Sequence, residues 1–533
     1  MPAASHVVSE PIENTNHQLQ QMSCSVSVAP ANLLRLRLRG EIEELEEFID
    51  ACAGQMEFAA FEEALVVRVF AFGRILMAFF LQQSAQGLEV PTRLKRGRQE
   101  FKRQPPKCRS IGTFFGEVPY WRYYAHRVNG RGGGFYPLDQ KLGLTADRFS
   151  FGVLTRAALL ATMLSYATAR ETMKGFLGWA PSTKTIERAV LGLGTHTEDW
   201  FASAPAPDGD GEVLIIQIDG KATPTATDSE LEKRRRQLGP RSQHQPKPKR
   251  LRDREARRQQ TRTRRKKGDK AKNGRMVTVV VMYTLKRSVD GDGNAYLEGP
   301  INRRVYASYA PKRHAFAIAR READKRGFTQ TSGRPIQLVT DGDSDYPKYA
   351  AEFLPNATHT LDVIHAEEYI WGAGSCLFEE GSTELRDWVG KRKTELYEGR
   401  VWDMLDEMNE FSATCTTKKK CQRLKVCINY LLPRAHMMNY AEITAKDLER
   451  GTGIVEGAVR YLVAQRFDEG GMRWIRERAE PLLQLRCINT NGDWDAFVRF
   501  AHDRVAAEQR QRASQVRILR SEQSPLPTFG LAA

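Results

Sequence analysis

Three acidic residues, Asp219, Asp341 and Glu456, are the best candidates for chemistry in this 533-residue chain. Asp219 closes the apolar run from Val213 to Ile218, and Asp341 closes the run from Ile336 to Thr340. Each is followed by glycine, a pair that commonly marks a hairpin. Neither fits a hairpin: Gly220 leads into Lys221-Ala222-Thr223-Pro224, and Gly342 into a helix-like stretch ending at Phe353. The runs read as buried strands, and the carboxyl ends of such strands are where α/β sheets present ligand sites. A buried carboxylate is costly to hold ionised unless something positive neutralises it, and a divalent cation would do so. Glu456 stands at the start of a late helix whose buried stripe is Val455, Val459 and Leu462. That puts Glu456 on the flank, open to a metal role or to an ion pair with Arg460 at i+4. A capping box is excluded because the third residue after Thr452 is Val455.

Two strand-end acids and one helix acid can hold a pair of Mg²⁺ or Mn²⁺ ions about 3.5–4 Å apart. One ion activates water or a 3′-hydroxyl, and the other stabilises the leaving oxygen of a phosphodiester. Hard oxygen donors suit these metals. Asp343 and Asp345 compete with Asp341, which ranks ahead because it directly ends its strand while they begin the next helix. A zinc site on Cys415, Cys421 and Cys427 is disfavoured, since a spacing of six turns successive thiols to different faces of a helix.

The elements that must position the acids read as an α/β unit. Strands are expected at 213–219, 276–285, 304–309, 336–340 and 357–361, with helices at 311–325 and 346–353 over a mixed sheet. Residues 366–445 read as an all-helical insertion, and 446–505 return to the core. Upstream, 1–30 reads as an unstructured lead, 31–84 as an amphipathic helical arm, 86–110 as a polar linker and 108–137 as a small hairpin unit. A helix-turn-helix-like set follows, with Ser182 capping its last helix and Lys184 and Arg188 sharing the outer face. The implied domains are 1–105, 106–205, 206–365 with 446–505, the insertion 366–445 and a flexible tail 506–533. Trp371, Trp388 and Trp402 in the insertion read as core residues, with base stacking the alternative.

Charge is concentrated. Lys and Arg number 81 against 65 Asp and Glu, yet residues 233–275 hold 20 basic and 3 acidic residues, so the rest of the chain is close to neutral. Such a run is either a solvated, self-repelling loop or a polyanion contact that releases counterions. Lys247, Lys249, Arg250, Arg264, Arg265, Lys266 and Lys267 are its candidate phosphate contacts. The longest apolar-looking stretch, 64–81, is broken by Arg68 and Arg74, which argues against a membrane span. No secretory leader is expected, and eight cysteines without a C-x-x-C pair fit a reducing cytoplasm.

Together these residues resemble a known family. Asp219-Gly220-Lys221, Val339-Thr340-Asp341-Gly342, Leu361-Asp362-Val363-Ile364-His365, Gly451-Thr452-Gly453-Ile454-Val455-Glu456, Gly471-Met472-Arg473-Trp474 and Asn491-Gly492-Asp493-Trp494 occur in the order found in the ISKra family of bacterial insertion-sequence transposases. The resemblance spans about residues 108–500. It implies an RNase H-like core interrupted by the helical insertion, with a DDE triad of Asp219, Asp341 and Glu456 holding two Mg²⁺ or Mn²⁺ ions. Asp362 and His365 match a further motif with a supporting or DNA-contacting role, which Lys221 and Arg460 share. Around residues 123–130 the chain has His126 but no cysteine pair, a departure from the zinc-like element expected there. The implied activity is cleavage at terminal inverted repeats and strand transfer into target DNA. Double-stranded DNA and further copies of the chain would be the partners, with no small-molecule cofactor and no membrane, in a bacterial cytoplasm at the nucleoid. A non-catalytic DNA-binding relative and a nuclease without strand transfer are the alternatives.

Overall fold

The structure, a computed structural model, describes residues 31–129, 133–226, 232, 236, 274–412, 417–469, 474–514 and 516–518. In chain order the strands are β1 (Arg93–Arg96), β2 (Gln99–Arg103), β3 (Lys107–Thr113), β4 (Gly116–Arg122), β5 (Ala125–Arg127), β6 (Val213–Pro224), β7 (Gly274–Val289), β8 (Ala295–Ser308), β9 (Ile336–Thr340), β10 (Ala357–Leu361) and β11 (Val516–Ile518). The chain forms two compact units, Met1–Val190 with Asp495–Ala533, and Leu191–Trp494.

In the first unit the expected single arm is two helices, Ala31–Cys52 and Phe58–Gln86, separated at Gly54, which has φ +70°. By length and composition alone the second of these could cross a bilayer. The 86–110 segment is not a linker. It contains β1 and β2, an antiparallel pair whose only buried side chains are Leu94 and Phe101. One apolar residue per strand leaves no alternation to read. β3 and β4 form the expected hairpin. The tail is ordered further than expected: a helix runs Trp494–Ser514, and β11 pairs antiparallel with β1.

The second unit is built on a mixed five-stranded sheet in the order β10-β9-β6-β7-β8. β9 and β10, and β6 and β9, run parallel, while β6-β7 and β7-β8 are antiparallel. Helices Lys312–Lys325 and Tyr346–Phe353 cover one face, where Phe316, Ala319 and Tyr346 pack on Leu214, Ile216, Ile218 and Leu338. Burying each such side chain contributes about 1.5–3 kcal/mol. β7 and β8 extend beyond the expected apolar runs to a solvated tip, where Asp290 accepts backbone N–H bonds from Asp292 and Asn294 at 3.0 and 2.8 Å. Backbone pairing sustains such a hairpin without buried side chains, which is why its outer half carries no hydrophobic pattern.

The insertion is helical, as read: Val363–Leu377, Thr383–Tyr397, Val401–Ser412 and Lys418–Leu431 enclose their own core around Leu396, Met404, Leu424 and Tyr440. Trp388 belongs to that core. Trp371 and Trp402 do not, being 42% and 60% exposed, so the core reading fails for these two. After the insertion, Gly453–Ala458 is α-helical and Val459–Asp468 continues as a π-helix.

Candidate metal-binding active site

Strand register assembles the site. β9 pairs with β6 as Thr340↔Ile218 and with β10 as Thr340↔Leu361. The next residue on each strand is therefore Asp219, Asp341 and Asp362, three acids side by side across neighbouring strands about 4.8 Å apart. Asp219 does not end its strand. β6 continues to Pro224 because β7 still pairs with it there, but the parallel pairing with β9 stops at Ile218. Asp219 thus occupies the carboxyl end of the parallel segment.

The three acids have different surroundings. Asp362 is fully buried and its oxygens are occupied: Oδ1 accepts the Thr452 N–H at 3.0 Å, and Oδ2 accepts the His365 N–H at 3.1 Å and meets His365 Nδ1 at 2.5 Å. Burial opposes its ionisation, yet the hydrogen bonds from His365 and Thr452 outweigh it and hold the carboxyl below its usual range. Its bond to Asp362 pushes His365 up to about 9, so the ring is an imidazolium beside the carboxylate of Asp341. Asp362 caps helix Val363–Leu377 and joins it to the loop before Glu456.

Asp219 and Asp341 each accept a single backbone bond, from Gly220 N at 2.5 Å and Asp343 N at 3.1 Å respectively. Burial raises both, and Asp219 reaches about 6 with further repulsion from Asp341 and Glu456. The rival acids are engaged elsewhere. Lys312 Nζ lies 2.6 Å from Asp343 and 3.2 Å from Asp345.

Glu456 is exposed in the first turn of its helix and accepts a bond from the Thr452 hydroxyl at 3.0 Å. Among the described residues it makes no ion pair with Arg460, which is also exposed. One donor atom each from Asp362, His365 and Glu456 fall within 4.8 Å of one another. Since Asp219 also feels the charge of Glu456, the helix acid faces the strand-end row.

Two buried glutamines hold that helix in place, and the sequence reading passed over both. Gln217 accepts the Val455 N–H at 2.9 Å and donates to the Gly451 carbonyl at 3.1 Å. Gln337 accepts the Glu449 N–H at 3.0 Å and donates to its carbonyl at 2.7 Å. A second set anchors the Asp341 turn from the insertion. The Tyr430 hydroxyl donates to the Asp341 carbonyl, and Arg434 Nε donates to the Gly342 carbonyl at 2.7 Å. Gly342 has φ +76°, and a Cβ there would meet Leu361 and Tyr430 at 2.6 Å, so only glycine fits. A polar residue alternating in phase with a strand-end acid, as Gln217 does with Asp219, was the available signal.

The donor chemistry fits hard divalent cations: carboxylate oxygens, mutually repelling, two of them disfavoured as anions by burial. Of the remaining candidates, Lys221 lies 3.5 Å from Asp468. Lys184 and Arg188 are exposed on the helix Thr183–Gly194, and Ser182 Oγ accepts the Thr185 N–H at 3.2 Å as expected of a cap. Lys247, Lys249, Arg250, Arg264, Arg265, Lys266 and Lys267 lie outside the described residues, as does Cys415.

No family model and no curated protein matches the chain. One solved structure, a Drosophila P element transposase strand transfer complex, is similar over 69% of this chain and 84% of that one, at 10% identity and a TM-score of 0.22. A likeness that distant transfers neither activity nor residue roles.

Proposed function

We propose that the chain is a DDE transposase of the ISKra type, with an RNase H-like core, that cleaves and joins DNA at Asp219, Asp341 and Glu456. What supports this most is the row of acids created by strand register, in which Asp362 is consumed by hydrogen bonds while Asp219, which feels the charge of Glu456, and Asp341 are left with one backbone bond each and the charge of His365 nearby.

In this reading Asp219, Asp341 and Glu456 hold two Mg²⁺ or Mn²⁺ ions. Such ions, when bound, lower the pKa of the attacking water or 3′-hydroxyl and stabilise the leaving oxygen. The protein's own residues supply orientation. Gln217 and Gln337 fix the Glu456 helix against the sheet, Tyr430 and Arg434 fix the Asp341 turn, and the His365 imidazolium offers a positive donor toward a phosphate. Lys184, Arg188 and the basic segment 233–275 contact the DNA backbone, Lys221 and Arg460 lie at its margin, and the enzyme works in the bacterial cytoplasm.

The test uses the purified chain and a supercoiled plasmid carrying the inverted repeats that flank its reading frame. With Mg²⁺ the protein should nick at the repeat ends and join them to target DNA. Asp219→Ala, Asp341→Ala and Glu456→Ala should abolish cleavage while gel-shift binding persists. Cleavage retained by any of them removes that residue from the site. Cleavage without joining would make the chain a nuclease, and binding alone a non-catalytic DNA-binding protein.

A further inference from the structure

The long apolar helix Phe58–Gln86 is poorly covered within its own unit. Val66, Val69, Leu76 and Phe80 are each 44–55% exposed, as are Ile42 and Ile49 on the preceding helix. The two helices lie antiparallel: Phe48 stacks on Phe61 at 5.6 Å, while Arg35, near the other end, sits over Phe79 at 5.8 Å.

Helical geometry shows that these residues form one face. At about 100° per residue, Ile42 and Ile49 lie roughly 70° around from the side that bears Leu38, Leu45, Phe48 and Cys52. In the second helix Val66, Val69, Leu76 and Phe80 lie roughly 90° around, in the same sense, from the side of Phe61, Arg68 and Phe79. Equal-sense offsets in antiparallel helices fall on the same side of the pair. Gly73, on the same side between Val69 and Leu76, is covered by Phe115 of the β3–β4 turn, which a Cβ there would hit. The result is an apolar strip along a two-helix hairpin, filled at Gly73 by the Phe115 ring.

Its rim carries a charge pattern. Arg35 and Arg39 are exposed beside the strip at the start of the first helix, and Glu46 and Asp50 are exposed beside it near the end, all within about 60° of one another around the axis. A two-fold axis that lays this helix antiparallel on its own copy brings each basic end against an acidic end. It also buries both strips in a four-helix arrangement. A bilayer suits the face poorly, because membrane-surface helices carry Lys and Arg on their polar side. Here Glu43, Glu44, Glu46, Glu47 and Asp50 are exposed.

We infer that this face is a homodimer interface, in which the hairpins 31–86 of two copies pack face to face with their first helices antiparallel. The inference does not depend on the proposed catalytic activity.

Light scattering on the purified full chain should give a dimer mass. Val69→Glu with Leu76→Glu should yield a monomer of unchanged helical content. Arg39→Glu and Glu46→Arg alone should each weaken the dimer several-fold, since each rim pair occurs twice by symmetry, and their combination should restore it. Should the double glutamate variant misfold, Ile42→Cys, close to the two-fold axis, should form a disulfide-linked dimer on mild oxidation that the unsubstituted chain does not. A monomeric wild type overturns the inference. So does a dimer indifferent to all these changes, or co-flotation of the face with phosphatidylglycerol vesicles in place of dimerisation. Failure of the charge reversals to rescue each other would overturn the antiparallel pairing, as expected if residues 1–30 covered the strip instead.

Discussion

Leu214, Ile216 and Ile218 project from β6 toward the helices Lys312–Lys325 and Tyr346–Phe353, where their neighbours are Phe316, Ala319 and Tyr346. Gln217 and Asp219 alternate with them on the same strand and project the other way, toward Val455, Gly451 and the charge of Glu456. β9 repeats the division, with Leu338 on the first face and Gln337 and Asp341 on the second. One face holds the sheet together through area removed from water. The other carries the repelling carboxylates among buried apolar residues of its own, Ile215, Val279, Val281 and Val339, and is tied to the 449–455 loop by buried amide hydrogen bonds. The acids and their amide supports thus share one face, a single residue step from the other, and substitutions of Phe316 and of the acids should fail in different ways.

The largest contrast is expected within the acidic turn itself. Asp341→Asn should lower DNA cleavage by about 10⁴-fold or more, whereas Asp343→Asn, whose carboxylate is occupied by Lys312, should lower it less than about ten-fold, both read in the plasmid assay. On the opposite face Phe316→Ala should cost about 3–5 kcal/mol in urea unfolding, while the folded fraction still binds Mn²⁺. Gln217→Leu tests the link between the faces. It leaves the Val455 N–H and the Gly451 carbonyl unpaired, a loss of about 1–3 kcal/mol, and cleavage should fall further than stability because Glu456 moves.

The smallest effect concerns pH. The His365 ring is raised to about 9 by its bond to Asp362. Because the folded value exceeds the unfolded one, the stabilisation is complete below about 6.5 and is lost as pH rises through about 9. Thermal melting between these limits should show that loss in the wild type and not in Asp362→Asn, provided the latter remains folded.

The strands Ile336–Thr340 and Ala357–Leu361 and the helix Tyr346–Phe353 were legible in the sequence to the residue, because Pro335, Asp341, Asp345, Pro355 and Asp362 punctuate the chain around them. The acids were legible for the same reason: Asp219 and Asp341 interrupt hydrophobic runs that otherwise require a buried strand. Their supports were legible only in part. Gln217 and Gln337 alternate in phase with Asp219 and Asp341, but only the pairing of β9 between β6 and β10 reveals that both meet the 449–455 loop. Tyr430 and Arg434 lie some ninety residues after the turn they hold, a distance across which no local pattern exists. β1, β2 and β11 escaped because backbone pairing, rather than hydrophobic alternation, defines them.

The central claim is that Asp219, Asp341 and Glu456 share divalent cations. Anomalous scattering from crystals soaked in Mn²⁺ tests it most directly. Density peaks should lie between these three carboxylates, about 2.0–2.3 Å from their oxygens, and vanish in the Asp219→Asn, Asp341→Asn double variant. Peaks on Asp343 and Asp345 instead, or none at saturating Mn²⁺, would contradict it.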